Sequence, residues 1–149
     1  MKIRQSTAFT CLVVPALSEI GLGLVYLTAS QPMPYHREAL ATDWANLQPG
    51  VRALVLILLN GYGSTHLAVG LAMSLLVGVL FLRGQAWTRW AILAVGLPVP
   101  GATAFLSHRL AAMTGAGVPW KGALALLVIF AIGVVLADPS RCRNAGEAS

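Results

Sequence analysis

The chain alternates between long apolar blocks and short polar connections, and the blocks are too continuous to be the one-sided core faces of a soluble fold. A helix needs roughly 20 apolar residues to cross about 30 Å of hydrocarbon. Four blocks predict four membrane-spanning helices, at about residues 8–28, 54–82, 90–107 and 122–137. The expected fold is all-α: an integral membrane four-helix bundle forming one transmembrane domain over residues 1–149, with a flexible polar tail at 141–149. A cleaved signal peptide is the competing reading of the first block, but Glu19 would interrupt its apolar region and the run continues through Tyr26.

The second block, Ala53 to Leu82, would make a helix about 45 Å long at ~1.5 Å per residue, more than a bilayer core requires. Its excess carries Asn60-Gly61-Tyr62-Gly63-Ser64-Thr65-His66, so the first turns are expected to rise out of the membrane. Pro98 and Pro100 should kink or interrupt the third helix and release backbone carbonyls. The fourth has no strongly polar side chain between Gly122 and Ala137 and reads as scaffold. The longest connection, Ser30 to Pro49, predicts a short amphipathic helix. Thr42 or Asp43 would be its cap, and Leu40, Trp44 and Leu47 its apolar stripe. It would serve as a lid over an outward cavity or as an interface anchor.

Composition sharpens this picture. The chain is 57% hydrophobic and 10% charged, whereas soluble domains carry about 25% charged residues. The net charge of +5 does not point to nucleic acid, because the basic residues flank the apolar blocks and form no patch. They set an orientation instead. With the N-terminus inside, the inner loops hold six basic residues (Lys2, Arg4, Arg83, Arg89, Arg141, Arg143) and the outer loops four (Arg37, Arg52, Arg109, Lys121). That bias predicts both termini on the cytoplasmic side, with Trp87 and Trp90 at one interface and Trp44 and Trp120 at the other. Cys11 and Cys142 have no CxxC or ligand neighbours and read as inert thiols.

Candidate chemistry centres on Glu19. A carboxyl deep in a spanning helix costs at least ~2.5–3.5 kcal/mol on insertion scales, so it needs a use or a partner. Pro15, Glu19, Gly23 and Tyr26 share one helix face. Such a group suits a proton carrier, a general acid or base, or a counter-ion for a lipophilic cation; the alternative is a hydrogen bond made only for assembly. On the second span Gly63, His66, Gly70, Met73, Ser74 and Val77 lie within one arc, and Gly70, Ser74 and Gly78 form a small-residue stripe. His66 falls near the depth of Glu19, so a Glu–His pair between the two helices is expected. Gly96, Pro100, Thr103 and Ser107 share a face of the third helix, whose end carries His108. The candidate catalytic residues are Glu19 and His66; the candidate ligand-binding residues are Tyr26, Asn60, Tyr62 and Ser107.

His36 and His108 read as solvated positions, though all three histidines fall on the outer half. No HExxH, HxxxH or CxxC motif supports a metal site, and no cofactor is implied. GxxxxGK[ST], GxGxxG and GxSxG are also missing from the sequence, so nucleotide use and serine hydrolysis of those types have no support.

Pro15-Ala16-Leu17-Ser18-Glu19-Ile20-Gly21 resembles the first helix of small multidrug resistance transporters, which implies proton exchange for lipophilic cations at Glu19. The likeness ends there: this chain has a substantial outer loop and lacks that family's later motifs. Met33-Pro34-Tyr35-His36, then Trp44, Leu47 and Pro49-Gly50, resembles small four-helix bacterial membrane proteins of no assigned function, which implies an inner-membrane setting.

Three functions fit. The first is a bundle that binds or converts a lipophilic small molecule in an outward-facing pocket around Glu19 and His66. The second is an accessory subunit packing on a partner membrane protein, and the third a proton-coupled exporter, necessarily oligomeric. The lipid bilayer is a partner in all three.

Overall fold

The computed structural model describes residues 2–85 and 87–137, so the expected tail over 141–149, with Cys142, lies outside the described residues. The described chain is helical: α1 (Lys2–Leu27), α2 (Pro34–Leu40), a 3-10 turn (Trp44–Asn46), α3 (Pro49–Arg83), α4 (Thr88–Gly96), α5 (Pro98–Thr114) and α6 (Trp120–Leu136). Three helical stretches are long and apolar enough to cross a membrane: Ile3–Leu27, Pro49–Arg83 and Thr88–Thr114. The apolar α6 is shorter, with 17 residues. Large apolar side chains such as Ile57, Leu75, Leu82, Phe105 and Val135 stand exposed on the outside of the bundle. Water does not tolerate that much contiguous apolar surface, and lipid does. The chain is therefore a membrane protein.

Helix ends follow local chemistry more than hydropathy. Pro49, pre-set for a first turn, starts α3 well before the apolar run, and Gly84 in the left-handed conformation (φ 60°) ends it. The third stretch likewise passes Ser107, His108 and Arg109 and stops at Gly115 (φ 73°). Polar side chains do not break a helix; the backbone conformation at the glycine does. Pro98 and Pro100 interrupt the helix only at Leu97, whose dihedrals stay right-handed (φ −91°, ψ −43°). The prolines leave α4 and α5 nearly continuous, because Leu97 N–H still reaches Leu93 O (3.1 Å) and Gly101 N–H reaches Leu97 O (2.9 Å).

The connection after α1 forms two pieces. Ala41 turns left-handed (φ 51°) and closes α2, and Asp43 then caps the 3-10 turn by accepting from Ala45 N–H (3.3 Å). Leu40, Trp44 and Leu47 therefore do not share one helical face.

The bundle has a packed half and a hollow half. Ala8, Leu12, Ala16, Met73, Val77, Leu80, Ile92, Phe130 and Val134 fill the packed half, where α1, α3, α4 and α6 converge. Close helix approach needs missing side chains. A methyl group at Gly63 would meet the Gly23 carbonyl oxygen at 2.8 Å, and one at Gly70 would meet Ile20 at 2.7 Å. Of the expected small-residue stripe, Gly70 is spent on α1, while a methyl group at Gly78 would meet no neighbouring helix within 4 Å. The hollow half lies at the end carrying α2, where the Glu38 carboxylate accepts from Gly117 N–H (2.9 Å) and ties α2 to the α5–α6 connection.

Candidate functional site

The hollow half holds a partly open cavity of about 570 Å³, walled by α1, α2, α3, α5 and α6. Its surface is mainly apolar, from side chains such as Leu22, Leu58, Leu59, Leu106 and Leu126. Glu19, Tyr26, Tyr35, His36, Tyr62, Thr103 and Ser107 supply the polar points.

Glu19 and His66 are brought together by the α1–α3 contact. Glu19 is 7% exposed and His66 0%, and Glu19 Oε2 pairs with His66 Nδ1. The expected pair exists because residues 16, 19, 20 and 23 of α1 face 63, 66 and 70 of α3 in antiparallel register, with glycine removing the bulk on either side. His66 Nε2 lies 3.3 Å from Thr103 Oγ1, and Thr103 Oγ1 lies 2.8 Å from the Tyr62 hydroxyl. A continuous polar chain thus runs Glu19–His66–Thr103–Tyr62 across three helices. The Tyr62 ring also stacks edge-on against His66, with centroids 4.2 Å apart.

A second polar group stands nearer the α2 end. The Tyr26 and Tyr35 hydroxyls are hydrogen-bonded, Tyr26 meets Tyr62 edge-on at 5.2 Å, and His36 packs on Tyr35 at 4.3 Å. Burial holds the His36 imidazole below its ordinary pKa, since desolvation disfavours the cation. Among the described residues His36 Nδ1 has no hydrogen-bond partner.

Of the sequence-predicted residues, Glu19, Tyr26, Tyr62 and Ser107 line the cavity, and His66 sits behind Glu19. Asn60 is elsewhere: its amide donates to the Leu27 carbonyl and fastens α3 to the end of α1. Within Asn60 to His66, Gly63 and His66 are buried against α1, while Gly61, Ser64 and Thr65 face outward and are exposed. Sequence reasoning did not single out Thr103 or Tyr35 for the site, and it read His36 as solvated. Thr103 carried a signal, since it shares the Pro100–Ser107 face; Tyr35 and His36 carried none, because only the folding back of α2 places them at the cavity. His108 is exposed and packs edge-on against Trp120 at 4.9 Å. Among the described residues no group of three or more His, Cys, Asp or Glu gathers to hold a metal ion.

The arrangement can bind a lipophilic body and present it with a proton-exchanging group. No family model, curated protein or solved structure matches the chain.

Proposed function

We propose that this is a four-helix protein of the bacterial inner membrane, with both termini cytoplasmic, which binds or converts a lipophilic small molecule in an outward-facing pocket around Glu19 and His66. The observation that carries the reading is the pairing of an apolar cavity of about 570 Å³ with a buried carboxyl–imidazole contact in its wall. Ligand pockets run to about 300–1,000 Å³, mostly apolar with a few convergent polar groups. Ionisable residues within membrane helices commonly mark such sites. The fourth span is α6, short but without a charged side chain from Gly122 to Leu136, and the basic-residue bias supports the orientation.

Native mass spectrometry of the gently purified protein tests the reading. A co-purified lipophilic molecule is expected in the wild type and is lost in Ala123→Phe, which puts a ring into the cavity wall. A wild type that never carries or binds an added lipophile, or an Ala123→Phe protein that binds equally well, overturns it. In the converting version Glu19→Gln abolishes turnover without any need for a pH gradient.

A further inference from the structure

The chain Glu19–His66–Thr103–Tyr62 has a direction, and that direction selects the ligand's head group. Each hydroxyl carries one hydrogen, so once one link is oriented the others follow. If Nε2 of His66 carries a hydrogen, it donates to Thr103 Oγ1, Thr103 donates to Tyr62, and the Tyr62 O–H is left to donate into the cavity. If Nε2 is bare, Thr103 donates to it, Tyr62 donates to Thr103, and Tyr62 presents only an acceptor.

Charge balance together with hydrogen-bond satisfaction favours the first. Among the described residues the cavity lining contains no Lys or Arg that could offset a lone carboxylate. The balanced form of the pair is a carboxylate with an imidazolium, or its tautomer with the bridging proton on Oε2. Both leave a hydrogen on Nε2; the third neutral form, with the proton on Oε1 and Nδ1–H donating to Oε2, bares Nε2 but gives the Oε1 hydroxyl no partner among the described residues. An unpaired buried charge is the costlier alternative.

We propose that the cavity takes a lipophilic carbonyl compound whose oxygen accepts a hydrogen bond from Tyr62, with Thr103 and His66 orienting that phenol as the donor. Tyr62 is the binding residue, and Thr103 is a positioning residue that acts through it. The proposal rests on the cavity being a lipophile site, and adds the head-group chemistry.

The test uses a long-chain ketone labelled with ¹³C at the carbonyl, the matching alkane, and the full-length protein in detergent. Isotope-edited infrared spectroscopy reads the carbonyl band. The expected result is a band displaced to lower wavenumber than in detergent alone, and binding of the ketone roughly tenfold tighter than the alkane. Tyr62→Phe removes the displacement, Thr103→Val diminishes it, and Thr103→Ser retains it. Equal binding of ketone and alkane with an undisplaced band overturns the head-group assignment while leaving the lipophile site intact. Failure of both molecules to bind overturns both. The Tyr26–Tyr35 pair is the competing donor, so a displacement that survives Tyr62→Phe and disappears in Tyr35→Phe also overturns the assignment.

Discussion

Glu19 and His66 meet between two glycine-mediated helix contacts, with Gly63 against Gly23 on one side and Gly70 against Ile20 on the other. The backbones are held together independently of the pair, so the pair's own contribution can be measured. Removing one partner leaves the other buried and uncompensated. Glu19→Ala is expected to destabilise the protein by about 3–5 kcal/mol. Glu19→Gln, which keeps a hydrogen-bonding group, is expected to cost about 1–3 kcal/mol. Unfolding in detergent measures both. A double-mutant cycle with His66→Asn should show a coupling of about 0.5–3 kcal/mol; strictly additive single effects would mean the contact contributes nothing.

The glycine contacts make a sharper contrast. Gly63→Ala must push apart two backbones and is expected to destabilise by about 1–3 kcal/mol. Gly78→Ala meets open space on the same helix and should be neutral or slightly stabilising through helix propensity. Equal thermal shifts for the two variants would contradict the α1–α3 packing.

Glu38 holds α2 across the end of the bundle through one hydrogen bond to Gly117 N–H. Glu38→Ala should speed amide exchange at Gly117 and over residues 34–47, with a stability change of about 0.5–1.5 kcal/mol. Unchanged exchange would show that α2 is held by its aromatic contacts alone.

His36 sets a pH dependence of definite sign. Burial lowers its pKa from 6.5, so the unfolded chain takes up a proton that the folded one refuses. Its contribution to stability is complete above about pH 6.5 and declines as the pH falls through that value towards the folded pKa. Protection of the α2 amides should fall over this window, and His36→Gln should flatten the fall. A profile identical in the variant would assign the pH dependence to another group.

How much of this was legible beforehand differs from residue to residue. Glu19 and His66 were found because an ionisable side chain inside an apolar run is conspicuous, and helical spacing fixes which neighbours share its face. Helix ends were less legible. A hydropathy window weighs side chains, whereas Pro49, Gly84 and Gly115 act on the backbone. Asn60 could not be separated from Tyr62 by pattern, because a polar residue at a helix crossing can face either a cavity or a neighbour's carbonyl.

The sequence by itself determined the all-helical character, the apolar spanning stretches and the face on which Glu19 lies, since each follows from short-range periodicity and composition. Only the tertiary structure decided that His66 and Tyr62 both reach Thr103, that Tyr35 and His36 fold back to the cavity, and that Asn60 does not line it. Those are distances between helices. They depend on crossing, register and the bulk removed at Gly23, Gly63 and Gly70, none of which a one-dimensional pattern contains.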